Sequence, residues 1–407
     1  MSTVDYISNS RGIEVVQAFG FFQPTQVFVE EGAAGRLADL CKLYGSKPLV
    51  VYSADLEAFA NPVIADLEVA GLSPVRFAQK DPEPTCDFID AATAELKAEA
   101  PDCVVGIGGG SAVDLAKAFA ISLTQEAGIW MYANLSNRPP LPLKAPVLPV
   151  IAVPTTSGTG SEVTPYAVLT KTDTKQKGTV QEPAIFPKVA LVDPVFTAGM
   201  PPALTASTGM DAFAHALEAT INVSKVAPMA ELFGIQAMKL ILEWLPVAYE
   251  DGKNLEARQQ MAFAASLAGM AISHRGTTTA HAIAEPLGAL THIPHGLGVA
   301  ISTVPVLRHS LPAASASLAR LWRDVMGGEA LATEEAEAMA FVDALEALMT
   351  RVGLNKTVRD ILGDEKCEGL RDLLVQNILE FKFRPLKQHP VEFDKAALET
   401  ITADIIG

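Results

Sequence analysis

Cys103-Val-Val-Gly-Ile107 runs directly into Gly108-Gly-Gly-Ser111 and then into Ala112-Val-Asp-Leu-Ala-Lys-Ala-Phe-Ala-Ile-Ser122. The first five residues are a short apolar run without alternation, the pattern of a strand covered on both faces. The last eleven predict an amphipathic helix. The glycines between them carry no Cβ, so the backbone can turn tightly and approach a ligand closely. Such a turn aims backbone N–H groups and a helix N-terminus at a pyrophosphate. A plain structural turn would use the same residues, and the spacing is not GxGxxG, so the standard dinucleotide fingerprint is absent.

The same alternation extends on both sides. Pro48–Tyr52, Pro74–Phe77, Val147–Val153 and Val189–Val192 read as further buried strands, with helices over 56–71 and 87–100 between the first of them. Strands alternating with helices predict a mostly parallel, doubly wound sheet over residues 1–195. Pro154-Thr-Thr-Ser-Gly-Thr-Gly-Ser-Glu162 follows a strand directly, at the edge where open α/β sheets bind ligands. From residue 196 to 407 the texture becomes Ala-, Leu-, Met- and Glu-rich. Helices are predicted over 203–221, 227–245, 254–274, 276–289, 295–307, 312–324, 332–351 and 391–406, an all-α second domain.

Composition bounds the function. The 407 residues are 49% hydrophobic and 19% charged, with mean hydropathy +0.25, enough to bury two large cores. The formal net charge of −16 argues against nucleic acid or an anionic membrane as partner. The stretch MSTVDYISNSRG lacks the basic and apolar regions of a secretory leader, and no stretch reads as a membrane span. Cys41, Cys86, Cys103 and Cys367 form no CxxC pair, as expected of buried thiols in a reducing, cytoplasmic compartment.

Five of the seven histidines fall within 215–295. Asp211 and His215 are four apart and project from one helix face. With His281 and His295 they make an N/O donor set suited to Fe²⁺, Zn²⁺ or a similar divalent ion. On spacing alone, ordinary hydrogen-bonded core or surface histidines are the weightier reading.

Four ordered motifs together resemble the iron-containing (group III) alcohol dehydrogenase family: GGGSAVDLAKA at 108–118, PTTSGTGSEVT at 154–164, GMDAFAHALEA at 209–219 and HAIAEPLGALTHIPHG at 281–296. The resemblance spans nearly the whole chain. It implies a dehydroquinate synthase-like fold, with an α/β dinucleotide-binding domain followed by an all-helical metal-binding domain. It implies Asp211, His215, His281 and His295 as metal ligands. Gly109, Gly110, Ser111 and Asp114 become pyrophosphate and nicotinamide-side contacts, and Thr155, Thr156, Thr159 and Lys177 line the cofactor. The implied reaction is hydride transfer between a small alcohol or aldehyde and NAD or NADP, with the metal as Lewis acid. The family commonly associates, which implies a homodimer or larger.

The sequence also departs from the family pattern. Glu285 stands where many members have a histidine, and it could relay a proton, form a local ion pair or add a carboxylate near the metal. Arg275 replaces part of a commonly apolar segment and is a candidate for selecting an acidic substrate. His292 is a second candidate for the proton relay. Ser53 falls where NAD-preferring members often carry Asp, which removes a charge that would repel a 2′-phosphate. The alternative function is a transhydrogenase or a metal-dependent lyase of the same superfamily. Cyclisation of a sugar phosphate would want several cations by the metal, and 209–296 offers only Lys225, Lys239, Lys253, Arg258 and Arg275. A metal- or nucleotide-binding protein without turnover is the non-enzyme reading, and the intact ligand motifs weigh against it.

Overall fold

The computed structural model describes residues 18–407 except 82, 136, 137 and 175. The amino-terminal stretch read above as no leader lies outside the described residues. Among the described residues there are nine strands: β1 (Gln26–Val29), β2 (Pro48–Ser53), β3 (Val75–Gln79), β4 (Cys103–Gly108), β5 (Ala133–Asn134), β6 (Val150–Pro154), β7 (Tyr166–Lys171), β8 (Gln176–Gln181) and β9 (Val189–Val192). Six of them form one sheet in the order β1-β9-β6-β4-β2-β3, with every pairing parallel. β4 is buried along its whole length and β2 along all but its last residue, as their unbroken apolar runs require.

β5, β8 and β7 form a separate antiparallel sheet, which the sequence reading did not foresee. Its strands are half-buried and carry Lys, Gln and Thr among their apolar residues, so no apolar run marks them. The helix Gly110–Ser122 packs against β4 and β6 of the large sheet and against β7 of the small one. That placement explains why ten of its thirteen residues are buried instead of one stripe.

Beyond β9 the chain is helical. Pro202 and Pro228 occupy first helical positions, where a missing N–H costs nothing. Asn254 caps the helix Leu255–Arg275 by accepting from the Ala257 N–H. The helices Pro202–Ile221, Pro228–Glu250, Leu255–Arg275, His295–Asp324 and Glu334–Arg351 share one apolar core built on Phe213, Met238, Ile241, Leu245, Leu318 and Phe341.

Two expectations are corrected here. The helices expected over 295–307 and 312–324 are one helix, His295–Asp324, with Pro305 and Pro312 inside it. Each proline removes a backbone hydrogen bond, but buried positions continue through Leu307, Ser310, Ala314, Leu318 and Leu321, and burial outweighs local propensity. Where the sequence reading found no membrane-span candidate, one helix among the described residues, Pro228–Glu250, is long and apolar enough by length and composition to cross a membrane. It packs against Pro202–Ile221 and Leu255–Arg275 in the core.

Candidate metal and nucleotide site

The carboxyl end of β4 meets the N-terminus of the helix Gly110–Ser122. Gly108 takes φ +154, and a Cβ there would lie 2.6 Å from the Ala112 Cβ and 2.8 Å from the Ser53 hydroxyl. A Cβ on Gly110 would lie 2.6 Å from Thr159, and one on Gly109 would lie 3.3 Å from Thr156. Close approach therefore demands glycine at 108 and 110, the fit at 109 is tight, and Thr156 and Thr159 flank the turn. No side chain caps this helix, and while the Ala112 and Val113 N–H groups donate to the Gly109 carbonyl, those of Gly110 and Ser111 remain available to an anion. Thr155 is buried and donates its N–H to the Gly108 carbonyl at 2.9 Å, which ties the second loop to the first.

Asp114, expected as a nicotinamide-side contact, has both carboxylate oxygens engaged within the protein. Its Oδ1 accepts from the Ser161 hydroxyl at 2.5 Å and its Oδ2 from the Val168 N–H at 3.0 Å. Lys117, fully buried, donates to the Ser161 carbonyl at 2.6 Å, the Ser161 hydroxyl at 2.7 Å and the Tyr166 carbonyl at 2.7 Å. Burial pushes its ammonium down to about 8, against the pull of Asp114 and Glu162. Buried Glu162 accepts from Ser266 at 2.7 Å, which pins the loop to the helix Leu255–Arg275. Lys117, Glu162 and Ser161 thus hold the loop from behind. The helical spacing of Asp114 and Lys117 hinted at this, but their partners lie more than forty residues away.

On the helix Pro202–Ile221, Asp211, His215 and Glu218 recur at four and three residues and share one face. His281 lies in the first turn of Thr279–Thr291, and His295 opens His295–Asp324. One donor atom each from Asp211, His281 and His295 lie within 4.8 Å of one another. The Asp211 Oδ1 is 3.5 Å from His281 Nε2, 3.7 Å from His295 Nε2 and 3.9 Å from His215 Nε2. The His215 ring stacks on His281 with centroids 4.5 Å apart. Gly296 permits this convergence: a Cβ there would meet the Ser207 carbonyl at 2.6 Å, so only glycine lets the two helices approach.

Asp211 Oδ1 and His281 Nε2 are buried without a hydrogen-bond partner. Buried polar atoms are nearly always partnered, so two orphans aimed at one point fit a bound divalent cation. The charges agree. Burial opposes ionisation of Asp211, yet His215, His295 and His281 hold its carboxyl below the usual range. Burial pushes His215 down to about 4, and burial likewise lowers His295, leaving neutral imidazoles as donors. For His281 burial is outweighed by the flanking carboxylates Glu218 and Asp211, which raise its pKa, an excess of negative charge that a divalent cation among the donors would balance.

The three residues that depart from the family pattern fare differently. Glu285 forms an ion pair with Lys382, one of its three expected roles. Lys382, 97 residues away in sequence and unmarked by any motif, was missed. Its Nζ also donates to the Lys177 carbonyl at 3.4 Å, and Lys177 pairs with Glu83 at 2.9 Å. Lys177 thereby sits where β8 meets the helix Thr279–Thr291.

Arg275 does not face a substrate. It is buried, donates to the carbonyls of Lys225, Ala219 and Thr220, and pairs with Glu231 at 3.2 Å. His292 caps the helix Thr279–Thr291 at φ 60, with its side chain exposed beside Leu362 and Lys366. That left-handed turn redirects the chain toward Pro294 and His295, and the imidazole sits on the surface, not beside the donor cluster.

Comparison with known proteins agrees with this arrangement. The model of iron-containing alcohol dehydrogenases matches residues 24–194, and that of the Fe-containing alcohol dehydrogenase family C-terminal region matches 205–395. A 1,3-propanediol dehydrogenase of Klebsiella pneumoniae is 34% identical, over 84% of this chain and 88% of its own length. An NAD-dependent methanol dehydrogenase of Bacillus methanolicus is also 34% identical, over 82% of this chain and 87% of its own. Among solved structures, an archaeal halo-thermophilic alcohol dehydrogenase from a Red Sea brine pool superposes with a TM-score of 0.90 at 29% identity, covering 97% of this chain and all of that one. The chain belongs to the iron-containing alcohol dehydrogenase family.

Proposed function

We propose that this protein is a metal-dependent, NAD(P)-linked alcohol dehydrogenase that interconverts a small alcohol and its aldehyde. The observation that carries the reading is the pair of buried, unpartnered donors Asp211 Oδ1 and His281 Nε2, with His295 and His215 around them. Asp211, His215, His281 and His295 would hold Fe²⁺, Zn²⁺ or another divalent ion, which supplies a Lewis acid for the substrate oxygen. Gly109, Gly110 and Ser111 offer the helix N-terminus to the pyrophosphate, with Thr155, Thr156 and Thr159 shaping that end. The nicotinamide supplies the hydride chemistry. Asp114 supports the loop from behind, and Lys177 lies nearest the helix that carries His281.

The half-exposed His295 marks the side on which the substrate enters. Glu285, paired with Lys382, is the residue we assign to pass the hydroxyl proton toward solvent. With Arg275 bound up in the protein, the expectation of an acidic substrate loses its carrier. Ser53 beside Gly108 ends β2 without a carboxylate of its own, with Asp55 two residues on, which supports NADP as well as NAD. The domains are taken as 1–195 and 196–407, and the setting as a cytoplasmic homodimer or larger, in keeping with four buried free cysteines.

The test is oxidation of NADH and NADPH with a panel of short aldehydes, run beside metal analysis. Turnover that survives complete chelation, or protein that holds no divalent metal, would overturn the reading.

A further inference from the structure

His281 reaches the cluster through one ring nitrogen, and the other lies 2.5 Å from Glu218 Oε2. Glu218 is itself buried and fully engaged. Its Oε1 accepts from the Thr278 hydroxyl at 3.0 Å and from the Ala280 N–H at 2.8 Å. Thr278 Oγ1 is 3.1 Å from His389 Nδ1, and His389 Nε2 is 2.9 Å from the Ser310 hydroxyl. Thr278 and Ser310 are wholly buried and His389 nearly so.

Directions follow from the chemistry of the groups. An ionised carboxylate only accepts, so Thr278 and His281 both donate to Glu218. With its proton committed, the Thr278 oxygen accepts from His389 Nδ1–H, while the Ser310 hydroxyl beside His389 Nε2 donates to the Val306 carbonyl at 2.7 Å. The chain His389–Thr278–Glu218–His281 is polarised in one sense, and each bond strengthens the next. Its end is an imidazole with the proton on Nδ1 and a lone pair on Nε2, the atom that stands unpartnered beside Asp211. A carboxylate behind a metal-bound histidine fixes its tautomer and ring orientation.

We infer that Glu218 is a positioning residue of the metal centre, locking His281 in the tautomer that presents Nε2, and that Thr278 and His389 hold the Glu218 carboxylate in place. The inference rests on the metal reading above. It also assigns a role to His389, the one buried histidine outside 215–295, and couples the chain near its carboxyl end to the ligand set.

Glu218→Gln separates this role from a merely structural one. The amide retains an oxygen to accept from Thr278 and Ala280, so the start of the helix Thr279–Thr291 stays capped. Its NH₂ group, turned toward His281, donates where the carboxylate accepted and drives the histidine proton onto Nε2. Full-length wild type and variant are loaded with Co²⁺, and affinity is read by competition with a chromophoric chelator. Visible d–d spectra and chelator-treated melting temperatures are recorded alongside.

The expected result is Co²⁺ binding weakened by about 10–100-fold with altered d–d bands and a melting temperature close to wild type without metal. Co²⁺ affinity and spectrum equal to wild type would overturn the inference. Should Glu218→Gln fail to fold, Thr278→Val carries the test: a several-fold weaker Co²⁺ affinity supports the inference, and an unchanged one refutes it. Wild type that holds no Co²⁺, Zn²⁺ or Fe²⁺ would remove the metal reading and this inference together.

Discussion

The support of the nucleotide loop and the donor cluster are both buried and both charged, but they are finished differently. Around Lys117 the ammonium meets two carbonyls and a hydroxyl at 2.6–2.7 Å, and Asp114 and Glu162 each accept from a neighbour. Around Asp211 the three histidine Nε2 atoms stand 3.5–3.9 Å from its Oδ1, and three atoms of the set, Asp211 Oδ1, His281 Nε2 and His215 Nδ1, have no partner. A buried polar atom left unsatisfied costs about 1–3 kcal/mol, so such a cluster persists where a ligand supplies the missing bonds. The first region is a completed scaffold that aims backbone groups at a ligand. The second is a set of lone pairs whose partner comes from outside.

The contrast breaks if removing a donor damages folding more than chemistry. His281→Ala should lower kcat/KM by at least about a thousandfold, about 4 kcal/mol in the barrier, while NADH still binds. Steady-state kinetics and fluorescence titration of the cofactor measure both, and near-normal turnover would refute the role. Lys117→Ala should do the reverse. It leaves the carbonyls of Ser161 and Tyr166 unpaired and two carboxylates uncompensated, at about 3 kcal/mol of stability, the lower end for breaking a buried pair. Urea unfolding tests this, and a loss under about 0.5 kcal/mol, ordinary for a surface change, would show the hub to be idle.

Gly296→Ala sharpens the comparison geometrically. Its Cβ would push the start of His295–Asp324 away from Ser207, costing about 1–2 kcal/mol of overpacking strain and displacing His295. Metal affinity by chelator competition should fall, and an unchanged affinity would mean that the helices adjust without moving the donor. Least affected is substrate choice in Arg275→Lys. With the arginine enclosed by Lys225, Ala219, Thr220 and Glu231, the ratio of kcat/KM for anionic and neutral aldehydes should stay within about twofold of wild type. A larger shift would return Arg275 to the substrate side.

How much was readable from the chain alone varies with the range of the interaction. β2, β4 and β9 were legible because strands buried on both faces are unbroken apolar runs. The antiparallel sheet of β5, β7 and β8 was not, because half-buried strands carry mixed residues. Asp211 and His215 were legible at helical spacing, and Glu218 on the same face could have been added by one more turn of that arithmetic. Lys382 and His389 left no local signal, since each meets its partner across about a hundred residues of chain.

The sequence by itself determined that a glycine turn follows a buried strand, that helices succeed the sheet, and that one acid and several histidines stand ready as donors. These properties are local, set by side-chain period and by the conformations that glycine and proline permit. Only the tertiary structure decided which charged groups serve the ligand and which serve the protein. It enclosed Arg275, turned Asp114 onto Ser161, set His292 on the surface and placed Glu218 behind His281. The physical reason is that a charge or a lone pair acquires its role from what lies within hydrogen-bond distance, and those neighbours are chosen by packing rather than by order in the chain.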